Sequence, residues 1–139
     1  MRVVLGVGCD RGTSLETLEA AVGQALALAG LGREAVCGMA TIDKKNDEAC
    51  ILRLALNENW SLQFFSAEEL AQVPVPNPSA TVLKYMGTPA VAEAAALLAA
   101  HAGIEQLLVE KYKHRGADGK NATVSIATVS IVRADNEDK

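Results

Sequence analysis

The sequence predicts an α/β fold, a single layered α/β domain with a mixed β-sheet of roughly five strands. Three observations point there. Short apolar, β-branched runs alternate with segments whose apolar residues recur at helical spacing. The last two strand-like runs are separated by a polar turn alone, which makes a C-terminal antiparallel hairpin. A chain of 139 residues, 50% hydrophobic and 22% charged, supplies one core of ordinary size. The domain is expected over residues 1–134, with a short polar tail at 135–139.

Residues 3–8 read as a buried strand ending in glycine. After the loop Cys9-Asp10-Arg11-Gly12, Thr13-Ser14-Leu15-Glu16 has capping-box spacing, with a hydroxyl at the cap and Glu three residues on. Leu15, Leu18, Val22, Ala25, Leu26 and Ala29 then form one apolar helical face, and Gly30 and Gly32 can end it. Residues 36–42 make a second buried strand. The polar residues 43–48 can open a helix carrying Ile51, Leu52, Ala55 and Leu56. Residues 61–65 form a third strand, and Ser66-Ala67-Glu68-Glu69 is a second capping box whose helix must stop before Pro74.

The proline-rich stretch 74–79 is a stiff extended connector. Thr88 and Pro89 cap and begin the next helix, with Val91, Ala94, Ala95, Leu97 and Leu98 on its buried side and Gly103 closing it. Residues 107–112 form the fourth strand, 114–121 a turn rich in glycine and charge, and 122–132 the last strand. That strand doubles a pentapeptide, Ala-Thr-Val-Ser-Ile at 122–126 and again at 127–131. Five is odd, so Val124 and Ile126 face one way and Val129 and Ile131 the other. The strand must bury different sides along its length, bulge near Ala127, or leave the sheet there.

Composition excludes several functions. Thirteen basic against 17 acidic residues leave a net charge of −4, which argues against a nucleic-acid partner. Aromatic residues make up 4%, too few for a base-stacking platform, whereas 24 alanines point to a core of small, closely packed side chains. No apolar run is long enough for a membrane span, and the start has no signal-peptide layout, so the expected address is cytoplasmic, without a membrane partner. Cys9, Cys37 and Cys50 are an odd, scattered set read as free thiols, and neither His101 nor His114 stands at metal-ligand spacing from them. No metal site and no cofactor is expected.

The first strand–loop–helix junction is the leading place for chemistry. Gly8 and Gly12 let backbone approach a ligand, a helix start offers N–H groups to an anion, Arg11 can fork onto a carboxylate, and Thr13 and Ser14 can donate. Gly6-x-Gly8-x-x-x-Gly12 is one residue too long for the dinucleotide fingerprint, and no phosphate-loop Lys follows. A tight turn with ordinary capping explains the same residues. Cys9, before the helix start and beside Arg11, is a candidate nucleophile, while Cys37 and Cys50 read as core. The second junction brings Thr41, Asp43, Lys44, Lys45 and Glu48 to another strand end, with Asp43 or Glu48 as candidate acid–base groups beside Lys45, or simply a solvated helix start. Glu93 and Lys111 are single charges in apolar segments, either surface residues or an ion pair. Lys111, Lys113, His114, Arg115 and Lys120 form the densest basic group, a solvated hairpin that can also steer a polycarboxylate.

These junctions together resemble a known family. Gly6-Val-Gly8-Cys9-Asp-Arg11-Gly12-Thr13-Ser14, Ala40-Thr41-Ile42-Asp43-Lys44-Lys45-Asn46-Asp47-Glu48, Phe65-Ser66-Ala67-Glu68-Glu69-Leu70 and Gly87-Thr88-Pro89-Ala90-Val91-Ala92-Glu93 are similar to segments of the CobE/CbiG C-terminal domain family of cobalamin biosynthesis. The likeness runs in order from about residue 3 to 127, with Lys111 and Ala122-Thr123-Val124 fitting the closing segment. The resemblance implies one of three roles. The first is binding or carrying a corrin-type tetrapyrrole such as hydrogenobyrinic acid. The second is opening a cobalt-precorrin lactone with release of acetaldehyde, with Asp43, Glu48 or Glu93 as acid–base. The third is docking on other cobalamin-pathway enzymes. Because the first strand begins at residue 3, the free-standing binding form is the expected one. Its ligand is a flat ring fringed with acetates and propionates. Gly8, Cys9, Arg11, Gly12, Thr13, Ser14, Thr41, Asp43, Lys44, Lys45, Ser66 and Lys111 are the residues expected to meet that fringe.

Overall fold

In the computed structural model, residues 1–129 are described. The expected tail at 135–139 and Ile131 of the second pentapeptide lie outside them. Val3–Cys9 forms β1 and is buried almost throughout, because its apolar residues alternate between two covered faces. Val3, Leu5 and Val7 pack against Leu18, Val22 and Leu26 of α1 (Leu15–Leu28) and against Ile51 and Leu54 of α2 (Ala49–Glu58). Val4 packs on the opposite face with Ala96, Leu97 and Ala100.

The sheet orders its strands β3-β2-β1-β5-β4, where β2 is Val36–Ile42, β3 Ser61–Phe65, β4 Leu107–Arg115 and β5 Asn121–Thr128. β1 pairs in parallel with β2, and β2 with β3; β5 runs antiparallel to both β1 and β4. The expected five-stranded mixed sheet with a C-terminal hairpin is therefore present. The carboxyl ends of β1, β2, β3 and β4 all reach one edge, the usual ligand edge of an α/β sheet. No helix among the described residues is long and apolar enough to cross a membrane.

The second face is covered by α3 (Ala67–Ala71), α4 (Ala80–Met86) and α5 (Ala92–Ala100). In α5, Ala92 to Leu97 and Ala100 are all buried. Gly6 explains how a helix can sit so low: a Cβ there would fall inside the Ala92 carbonyl and 2.8 Å from the Ala96 amide nitrogen. The alanine-rich composition thus serves a close helix–sheet approach. The doubled pentapeptide does swap faces. Ala122, Val124 and Ile126 join the α1 side, whereas Ala127 and Val129 join the α5 side, and Val129 N–H still donates to the Arg2 carbonyl at 3.0 Å.

Several local expectations are corrected. The N-cap of α1 is Ser14, which accepts from Thr17 N–H at 3.1 Å, and not Thr13 in a box with Glu16. Thr13 turns its hydroxyl back to the Asp10 carbonyl at 2.7 Å, which holds the loop and leaves capping to the next residue. Residues 43–48 form a single 3₁₀ turn at Asp43–Lys45 before α2 starts at Ala49. The stretch after the prolines contains α4, which presents no buried residue and so left no apolar periodicity; its marks were Ser79 at the cap and Gly87 at the end, with φ +79°. α5 begins at Ala92 rather than at Pro89, because the Pro89 carbonyl accepts from Ser79 N–H and the Thr88 hydroxyl donates to the Ala90 carbonyl. Its left-handed end is His101, φ +54°, not Gly103. The Ser66–Glu69 box stands as expected.

Gly6→Ala should destabilise the protein by about 1–3 kcal/mol, the usual range for overpacking a tight core. Urea unfolding measures this, and an unchanged midpoint would contradict the close β1–α5 approach.

Candidate functional site

The loops at the carboxyl edge are tied to one another by charge. Arg11 extends from the β1–α1 loop to the β2–α2 loop, where Nη1 donates to Asp47 Oδ1 at 2.6 Å and Glu48 Oε1 at 3.2 Å, and Nη2 donates to the Lys44 carbonyl at 2.5 Å. Gly12 N–H donates to the other Glu48 oxygen at 3.0 Å. The Arg11 guanidinium holds the Asp47 carboxyl below the usual carboxylate range. Across the edge, Asp118 of the β4–β5 turn accepts from Ser14 N–H at 2.9 Å and from the Thr17 hydroxyl at 3.0 Å. Backbone donors at Ser14 and Lys120, joined by the Thr17 hydroxyl, bring the Asp118 carboxyl down to about 2.

This arrangement has a direct consequence for ligand binding. The N–H groups of Gly12 and Ser14, which a helix start offers to an anion, already serve carboxylates of the chain itself. Thr41, fully buried, donates to the Val7 carbonyl at 2.7 Å. Ser66 caps α3, and Asp43 is exposed. The Lys44 ammonium donates to the Met86 carbonyl at 3.2 Å and so ties this loop to α4.

Beside these loops lies a cavity of about 310 Å³, between the end of β1 and the start of α5. Gly8, Cys9, Lys45, Glu93 and Lys111 line it, so the fold does gather these five predicted residues. Lys45 is 5% exposed, with Nζ 3.9 Å from Glu48 Oε1. Glu93 is 1% exposed, with Oε2 3.6 Å from the Lys111 ammonium. Val82 and Met86, which no motif announced, join Val91 in an apolar wall; Lys113 joins because it lies two residues from Lys111 on the same face of β4. Of the three acid–base candidates, Glu93 alone lines the cavity. Glu48 has both oxygens in hydrogen bonds to Arg11 and Gly12.

Cys50, read as core, stands with its Sγ 3.8 Å from that of Cys9. The Cys50 thiol lowers Cys9 below the ordinary thiol range; burial opposes this and the Lys45 ammonium adds to it. The same contact, with burial, pushes Cys50 up. Cys9, Glu48 and Cys50 place three donor atoms within 4.8 Å of one another. Arg11 and Gly12 already engage the Glu48 oxygens, and the Lys45 ammonium lies 3.9 Å from Oε1.

Comparison with known proteins places these features in context. The family described as cobalamin synthesis G C-terminus matches residues 3–127. A cobalt-precorrin-5A hydrolase from Priestia megaterium is 33% identical over 127 residues, 91% of this chain and 32% of that protein; the chain thus spans about a third of that relative's length. Protein CobE from a Sinorhizobium species is 34% identical over 136 residues, covering 96% of this chain and 84% of that protein. Among solved structures, CobE, a protein from the cobalamin (vitamin B12) biosynthetic pathway, superposes with a TM-score of 0.75 at 28% identity, covering 93% of this chain and 92% of that one. The cobalamin biosynthesis protein chiG from Agrobacterium tumefaciens has a TM-score of 0.65 at 31% identity, covering 92% and 98%.

Iodoacetamide at neutral pH should label Cys9 ahead of Cys37 and Cys50, as read by peptide mapping. Preferential labelling of Cys37 would contradict the lowered Cys9 thiol. The depressed Asp118 carboxyl contributes stability above its ordinary value of 3.8 that is lost as pH falls toward about 2. Urea midpoints measured across that window should fall more steeply for the wild type than for Asp118→Asn, and parallel curves would remove Asp118 from the α1 start.

Proposed function

The chain belongs to the cobalamin synthesis G C-terminus family, and we propose that it binds a corrin-type intermediate such as hydrogenobyrinic acid at the carboxyl edge of its sheet. The observation that carries this reading is the cavity that joins the Lys45 and Lys111 ammonium groups to an apolar wall. A macrocycle fringed with acetates and propionates offers both kinds of partner, carboxylates for the lysines and an apolar ring for Val82, Met86 and Val91. Small-molecule sites run from about 300 to 1,000 Å³, and this one is at the lower end. The ring therefore lies across the mouth and sends one arm inside. With few aromatics in the chain, the grip comes from the fringe more than from stacking.

The lysines on β4 also set the approach. Lys111 and Lys113 stand on the cavity side of the strand, where their charge draws a polyanion from solution despite the negative total. Arg11 acts through the loops it joins, since its guanidinium is engaged by Asp47, Glu48 and the Lys44 carbonyl.

A second reading, lactone hydrolysis, is favoured by one feature, the buried Glu93 carboxylate in the same cavity as Cys9. In that case Glu93 would act as the general base on water. Acetaldehyde release from a cobalt-precorrin lactone by the isolated chain distinguishes this reading from binding without turnover.

Titration with hydrogenobyrinic acid, followed through the absorbance of the ring, should give saturable binding that weakens as salt is raised. Lys111→Ala should reduce affinity about tenfold, the scale of one charge-assisted hydrogen bond. Absence of both a spectral change and co-elution would sink the reading.

A further inference from the structure

Glu93 Oε2 is a buried side-chain oxygen without a hydrogen-bond partner, the one such atom among the described residues. Its surroundings make this unusual. The helix that carries it is otherwise built of alanine and leucine, and the residue is 1% exposed. The Lys111 ammonium, 3.6 Å away, neutralises part of the charge but stands beyond hydrogen-bond reach. A buried acceptor left unpaired is costly, and because Glu93 is one of the residues that line the cavity, a donor brought there by a ligand would relieve it.

The cavity therefore makes two opposite demands. The lysines Lys45 and Lys111 ask for an acceptor, and Glu93 asks for a donor. A free carboxylate meets the first demand and opposes the second, because it sets one anion against another in a site of low exposure. A primary carboxamide meets both, its N–H group reaching Glu93 while its carbonyl accepts from a lysine. The two ends of one amide lie side by side, as Oε2 and the Lys111 Nζ do.

We propose that this cavity recognises a primary carboxamide arm, with Glu93 as the acceptor and Lys111 and Lys45 as donors to the carbonyl. The proposal rests on the macrocycle reading above and adds to it a preference among rings. The carboxylates at the rim meet Lys113 and the other surface cations, whereas inside the cavity an amidated arm is held more tightly than an acid one. Glu93 is then a specificity-determining residue. It favours the amide by bonding it and disfavours the acid by repulsion, the two means by which a site discriminates.

The test compares two probes, hydrogenobyrinic acid and the same ring with its acetate arms converted to primary amides. The wild-type chain should bind the amidated ring about tenfold more tightly, the discrimination expected when a built polar site loses one partner. Glu93→Gln, which has the same shape but carries its own N–H group, should bring the ratio to about twofold or less by tightening the acid. Equal wild-type affinities, or a ratio unchanged in the variant, overturn this proposal and leave the macrocycle reading standing. Binding of neither ring overturns both. The wild-type comparison stands without the variant, so a folding defect in Glu93→Gln cannot obscure it.

Discussion

α5 lies almost against the backbone of β1, and the packing of that face and the shape of the cavity beside it follow from this contact. Gly6 has no side chain to hold the helix away, and the Ala92 and Ala96 backbone comes down onto it. A helix seated this low is buried along nearly its whole length, and small alanines let its backbone come down onto the strand. One of its buried residues is charged. Glu93 is carried inward by the same packing, and the fold then needs a cationic neighbour, which Lys111 supplies from β4. The cavity is the space left where the seat of α5 ends, beside Gly8 and Cys9.

Charge within the loops decides which helix starts are free. An α/β edge ordinarily offers several N-termini to an anionic ligand. Here Asp118 closes the start of α1, and Glu48 takes the Gly12 N–H. These contacts tie the edge together, because Arg11 joins the β1–α1 loop to the β2–α2 loop and Asp118 joins the β4–β5 turn to the start of α1. Under the proposed function, recognition falls to the neighbouring cavity, where Lys45 and Lys111 rather than backbone N–H groups supply the positive charge.

Much of the fold was legible because its signals are local. The limits of β2 and β3, the Ser66–Glu69 box and the hairpin follow from apolar runs, cap spacing and turn residues. The odd period of the last pentapeptide foretold the change of face that Ala127 and Val129 make. What failed was local competition. Thr13 and Ser14 are both able to cap, and the Asp10 carbonyl settled the choice by taking the Thr13 hydroxyl. Thr88 and Pro89 look like a helix start, but α4 engages the Pro89 carbonyl through Ser79. The short α4 buried nothing and so left no pattern to read.

The same division holds at the site. Gly8, Cys9, Lys45, Glu93 and Lys111 could be named from the chain because strand ends and isolated charges in apolar segments stand out in a sequence. Their roles could not. Whether Glu48 is free or bonded depends on Arg11 and Gly12, 36 or 37 residues away, and that Cys50, in the core as expected, also meets Cys9 depends on a contact 41 residues long. The periods, caps and small-residue composition that make a mixed five-stranded sheet depend on neighbours a few residues apart, and so they are legible along the chain. Which charges neutralise each other, and which buried oxygen beside the cavity keeps no hydrogen bond, depends on strand order and register and so was settled in three dimensions.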